Sequence, residues 1–318
     1  LIEQEEGRVE IGPHSTSGQR EDREKVREGL DVFRNVADSR VWIDHQPSTN
    51  CEAIVNQGAK VGSQYRVTDL LEDFGYAYVW AGQDVRAPKD GINIFDPQRA
   101  NTARPVLYQH SHVRGDSRPL WIFSSLWRSV SFSRFLSVYN AAKLDVLAQD
   151  HGLHIAHTYL DTYRKHGRLA ERSLLEPIKG GYRLKDKADR LFKAFSERQA
   201  RKELWVAGIA AIGDHMIAMR GIEIDYSSSK QVRIRNTGAT RVEGASFFIP
   251  RDAGHPWLDG QKLGPNQIRH GPEGQLEFWF DLAPSQERIL EFRNADKTPI
   301  SVIANRGIEI HASNEGVP

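Results

Sequence analysis

The feature that most constrains this chain is a change of rhythm along its length. Up to about residue 160, short runs suited to strands alternate with stretches suited to helices. "VEIG" is followed by "REDREKVREGLDVFRNV", where Val26, Leu30 and Phe33 recur at i, i+4 and i+7, the spacing of one helical face. "RVWIDH", "YAYVW" and "LHIAHTYL" read as further strands. "TNCEAIVNQG", with Thr49 or Asn50 as a cap, "TDLLEDFG" and the long "FSRFLSVYNAAKLDVLAQDHG" read as helices. "PVLYQHSH" and "PLWIFSS" read as a two-strand insertion. Repeated strand–helix alternation implies parallel strands covered by helices, in a barrel or a doubly wound sheet.

The rhythm then changes twice. Residues 161–222 read as mostly helical. From there "GIEIDYS", "KQVRIRNTG", "VEGASFFIP", "GQLEFWFDL" and "RILEFRN" are period-two or apolar runs separated by Gly, Pro and Asn, which marks a small antiparallel sheet or sandwich. The expected organisation is a strand–helix domain over 1–165, a helical connection over 166–224 and an antiparallel β domain over 225–318.

Charge and composition narrow the partners. A formal net charge of +1 gives no electrostatic case for nucleic acid or an anionic membrane surface. No apolar run approaches the roughly 18 to 20 residues of a membrane span. The single cysteine, Cys51, excludes an internal disulfide and a cysteine zinc cluster. The chain opens at Leu1 as if in mid-element, so an N-terminally incomplete sequence is expected. That leaves the compartment open, with a periplasmic or extracellular setting favoured. Phosphate-loop, G-x-G-x-x-G, G-x-S-x-G and H-E-x-x-H patterns are missing.

Ionisable and polar residues gather where the strands end. "VEIGP" runs into His14, "RVWI" into Asp44 and His45, "YAYVW" towards Asp84, "LWIF" into Ser124 and Ser125, and "LHIA" into His157. In parallel sheets and barrels that edge is where chemistry collects, although each residue alone could be a turn or cap. His154 and His157 are an odd number apart, so a strand puts them on opposite faces, and His157 is chosen as the inward one. His110 and His112 share a face but are read as rim residues. Trp42 and Trp121 are read as core. Trp80, at a strand end, is the candidate sugar platform, because aromatic faces stack on sugar rings. Asn50, with Glu52, is placed to bond hydroxyls or to cap the next helix.

These motifs resemble those of polysaccharide deacetylases. "EIGPHSTSG" is similar to that family's histidine strand and turn, "HIAHTYLD" to its late strand, and "WIDHQPSTN" and "DLLEDFGYAYVWAGQD" to middle strands of divergent members. The likeness covers about residues 7–160. It implies a deformed (β/α) barrel, followed here by the helical segment and a small antiparallel β-sandwich-like domain. It also implies a divalent metal, zinc, held by one aspartate and two histidines. His14 corresponds to the first histidine. The second normally follows four residues later, where this chain has Gly18, so His45 is taken as its substitute. His157 corresponds to the general acid, a role suited to a group titrating near neutral pH. Asp44 is expected to assist by orienting a histidine. Trp80, Asp84, Asn50 and Ser124 are the substrate-binding candidates.

The resulting expectation is a metal-dependent hydrolase that removes N-acetyl groups from a polysaccharide or oligosaccharide. One alternative is a glycoside hydrolase using paired carboxylates such as Asp44 and Asp84, which requires a separation of about 5 to 9.5 Å. The other is a non-catalytic carbohydrate-binding barrel.

Overall fold

The computed structural model describes residues 10–16, 21–45, 49–84, 92–94, 106–109, 120–125, 127–129, 132–158, 173–228, 230–271, 274–292 and 301–304. The chain divides into two compact units. One comprises 1–148, 152–210 and 310–318, and the other 149–151 and 211–309.

The N-terminal unit is built on a four-stranded sheet of β1 (Val41–Ile43), β2 (Tyr78–Asp84), β3 (Leu107–Gln109) and β4 (Trp121–Ser125), in the order β1-β2-β4-β3. β1 pairs in parallel with β2 and β2 with β4, whereas β3 runs antiparallel to β4. On the far side of β1, His14 forms a parallel bridge with Ile43. Gly12 is needed at this approach, because a Cβ there would lie 2.7 Å from the Val41 carbonyl oxygen.

The expected deformed (β/α) barrel is therefore contradicted. Among the described residues the sheets are mostly antiparallel and the parallel sheet does not close. The reason is local: β3 caps one edge in the opposite direction, and among the described residues no further strand pairs with it. The supposed two-strand insertion is half correct. β3 and β4 do pair antiparallel, but β4 is a central strand of the sheet. β5 (Trp127–Ser129) and β6 (Ala156–Thr158) form a separate parallel pair.

Helices cover this sheet for reasons readable in the chain. In α1 (Arg23–Arg34), the Asp22 side chain caps the N-terminus by accepting from the Lys25 N–H, and Val26 and Leu30 are buried one turn apart. A two-pronged Arg23–Asp69 ion pair, at 2.6 and 2.8 Å, ties α1 to α2 (Thr68–Asp73). Val26 and Leu30 join Trp42, Leu70, Leu71, Val79 and Ile122 in one core. The expected long helix after residue 131 is two helices, α3 (Phe132–Val138) and α4 (Ala141–Gln149). The break falls at Asn140, whose side chain accepts from the Lys143 N–H as a cap for α4. Between 161 and 222 a hairpin of β7 (Leu175–Ile178) and β8 (Gly181–Leu184) precedes α5 (Asp186–Ala200) and α6 (Ile209–Met219).

The C-terminal unit contains two antiparallel sheets. β9 (Ile222–Ser228), β10 (Gln231–Asn236), β12 (Pro256–Leu258), β13 (Gln261–Lys262) and β16 (Glu287–Phe292) make one, in the order β13-β12-β16-β10-β9. β11 (Val242–Pro250), β14 (Ile268–His270), β15 (Gln275–Leu282) and β17 (Ile303–Ala304) make the other, in the order β14-β15-β11-β17. Alternate residues point inward from both. Val232, Ile234 and Leu290 of the first share a core with Phe247, Phe278 and Phe280 of the second. The Phe247 ring stacks on Phe278 and Phe280 at 5.5 and 5.0 Å.

A buried ion cluster lies on the β14–β15 pair. Glu277 is 1% exposed and is contacted by Arg269 and by His151 Nδ1 at 2.8 Å. Burial alone would raise its pKa, but hydrogen bonds from His151 and Arg269 outweigh burial and hold it below the usual value. The unfolded chain therefore binds this proton more tightly than the folded one. The cluster's stabilisation is present above the ordinary glutamate pKa and is lost as pH falls through the depressed one. Glu277→Ala is expected to destabilise the unit by about 3 kcal/mol, the low end for a broken buried pair, because Arg269 stays partly solvated. It should also flatten the acid limb of a urea-unfolding series run between pH 3 and 6. An unchanged acid limb would remove the cluster from the unit's stability.

Candidate functional site

The parallel sheet sends the residues that follow its strands to one edge. His14 and His45 stand side by side there, with ring centroids 4.7 Å apart and planes at 67°. The backbone enforces this placement. The Ile43 N–H donates to the Pro13 carbonyl, and the Ser15 N–H donates to the Ile43 carbonyl at 2.8 Å. Ser15 adopts φ 54°, the left-handed region that a non-glycine residue enters only when its surroundings compel it. What compels it is this pairing, together with its hydroxyl, which accepts the His45 N–H at 2.9 Å.

His157, in β6, is the third histidine. Its ring meets Trp80 edge-on with centroids 4.7 Å apart, and the Trp80 indole Nε1 donates to Ser125 Oγ at 3.0 Å. Trp80 is thus fixed by one bond and packs on one imidazole. His14 feels the charge of both His45 and His157, which places the three in one electrostatic neighbourhood. Its pKa lies below the ordinary histidine value, chiefly through desolvation and then through those two neighbours. A depressed pKa keeps the imidazole neutral at neutral pH, the form that donates a lone pair.

The other expected residues fall differently. Asp44 is fully buried. Its Oδ1 accepts from Trp42 Nε1 at 2.8 Å and its Oδ2 from the Ile54 N–H at 2.9 Å. Both oxygens hold the fold, so the expected role of orienting a histidine is replaced by a structural one. Asn50 is also buried, and its Nδ2 donates to the His45 carbonyl, which closes the turn. Ser124 is fully buried on β4, and its hydroxyl has no hydrogen-bond partner among the described residues. The backbone of Asp84 ends β2, but its side chain lies outside the described residues, as do His110 and His112. Trp42 and Trp121 are buried, at 0% and 8% exposure. His154 is structural: Nδ1 meets the Ile92 carbonyl and Nε2 the Tyr139 hydroxyl, both at 2.8 Å.

Sequence reasoning missed Ser15, and it placed Ser125 at a strand end without giving it a role. Ser15 stood directly after His14 in the hydroxyl position of the motif, a signal that was present. The bond of Ser125 to Trp80 depends on the register of β2 against β4 and has no local signature.

The implied metal can be tested against these donors. Two imidazoles side by side suit a borderline divalent ion such as zinc. Among the described residues, no three His, Cys, Asp or Glu side chains assemble into a group that could hold an ion. The donor pair fits, and a third ligand is not among the described residues. Comparison with family models, curated proteins and solved structures finds no match.

Burial pushes the Asp44 carboxyl up to about 7. Its folded pKa exceeds the unfolded value near 3.9, so its ionisation subtracts stability as pH rises across that window. A side-chain carboxyl titration followed by carbon-13 NMR should place its midpoint near 7, and a midpoint below 4 would contradict the burial argument. Asp44→Ala should cost roughly 1–3 kcal/mol for each of the two N–H donors it strands, read as a shift in denaturant midpoint.

Proposed function

We propose that this chain is a hydrolase of the polysaccharide deacetylase kind, removing N-acetyl groups from a sugar polymer with the help of a divalent ion, zinc. The observation that carries this reading is the His14–His45 pair, with rings 4.7 Å apart beside the end of β1, and with His157 close by. His14 and His45 would hold the ion, which when bound supplies Lewis-acid polarisation of an otherwise poor electrophile, the amide carbonyl.

The chain's own residues carry the remaining roles. His157 would give a proton to the departing amine, a transfer worth 10²- to 10⁴-fold in rate. Trp80 would hold the His157 ring and keep water from its flank, with Ser125 fixing the indole. Ser15 would hold His45 in register with His14. The paired-carboxylate reading loses support, because Asp44 turns both oxygens into the fold.

Elemental analysis of the full chain should find about one zinc-like ion. His14→Ala should lose most of it, together with deacetylation of N-acetylated oligosaccharides. His157→Gln should keep the ion and lower kcat by 10²- to 10⁴-fold. Equal metal in wild type and His14→Ala, or none in either, would make His14 a turn residue and leave a non-catalytic binding protein.

A further inference from the structure

The ion cluster on β14–β15 has one member held in a costly position. His151 adopts φ 49°, in the left-handed region that a non-glycine residue keeps only when its surroundings compel it. Its side chain is 5% exposed, and its Nε2 is buried with no hydrogen-bond partner among the described residues. A buried polar atom left unpaired is a second cost. The ring lies edge-on to Phe248, with centroids 5.6 Å apart.

What holds the residue is its Nδ1, which stands 2.8 Å from Glu277 Oε2 and 2.7 Å from Arg269 Nη2. The two neighbours make opposite demands. An ionised carboxylate only accepts, a guanidinium only donates, and one ring nitrogen cannot answer both. Glu277 is the stronger claimant, because a proton given to a carboxylate makes a charge-assisted bond. Arg269 already gives its Nε–H to the same oxygen and lies over the Trp279 ring. Nδ1 therefore carries the proton, in the neutral imidazole and the imidazolium alike. Without the carboxylate charge, Arg269 Nη2 would face that N–H donor against donor.

The groups that act on the charge of Glu277 are His151 and Arg269. Across the register β14 presents Arg269 and β11 presents Phe248, which carries no charge. Asp150, next to His151, is exposed. Burial pushes the Glu277 pKa up, and the bonds from His151 and Arg269 bring it below the usual value.

We propose that His151 is a charge-gated latch: ionised Glu277 accepts its Nδ1 proton and keeps Gln149–His151, part of the same unit, strapped to β14–β15, and loss of that charge frees the strap while the unit stays folded. Release removes both costs, because the backbone leaves the left-handed region and Nε2 meets water. The latch is closed above the ordinary glutamate pKa and opens as pH falls through the depressed one. It is independent of the function proposed above.

Diethyl pyrocarbonate, which modifies accessible neutral imidazoles, reads the latch on the full chain at neutral pH, with sites mapped by peptide mass spectrometry. Glu277→Gln keeps the shape and an acceptor oxygen but loses the charge. It should raise the His151 modification rate roughly 10- to 100-fold, the weight of one hydrogen bond to a charged group. His255, in the same unit and bonded through Nε2 to the Leu263 carbonyl, should keep its rate. An unchanged His151 rate overturns the proposal, and so does a parallel rise at His255, which marks opening of the whole unit. Should Glu277→Gln fail to fold, wild type under acid decides. The ring nitrogen-15 NMR signal of the His151 Nδ1–H, assigned by its loss in His151→Gln, should fade before the amide signals of β10 and β16. Simultaneous loss overturns the latch.

Discussion

The parallel pairing of Pro13–Ser15 with Ile43 is the constraint on which the site depends. Two backbone hydrogen bonds bring two sequence-distant segments into register, and that register sets His14 beside His45. The strain at Ser15 is the local cost, and the Ser15 hydroxyl bond to the His45 N–H is its counterpart. Without this pairing His14 would not be held beside His45.

The rest of the unit supports that edge. Trp42, Val79 and Ile122 bury the sheet beneath it. Asp44, one residue before His45, anchors the following turn through the Ile54 N–H and fastens Trp42 through its indole. A residue expected to serve chemistry therefore serves the scaffold, one position away from one that faces the site. On β4 both Ser124 and Ser125 are fully buried, and Ser125 fixes Trp80.

Much of this was legible in particular residues. The Val26–Leu30 spacing marked α1, and the alternation in Gln231–Asn236 marked β10. The meeting of His14 and His45 was legible only in part: His45 follows β1, while His14 sits on an isolated parallel bridge to Ile43 and not at the end of a strand. Barrel closure was not legible, because closure depends on which strand pairs with β4, and β3 pairs with it in the opposite direction. The fate of Asp44 was hidden for a related reason. One residue's difference in strand position turns a side chain from the site to the core, and composition carries no trace of that turn.

The most direct test of the account is where an ion sits. Crystals of the full chain grown with zinc, measured at the zinc absorption edge, would locate it without reference to activity. The account requires an anomalous peak between the His14 and His45 rings, within about 2.0–2.1 Å of one nitrogen of each, with His157 left outside the coordination sphere. A peak elsewhere, or His157 as a ligand, would contradict it.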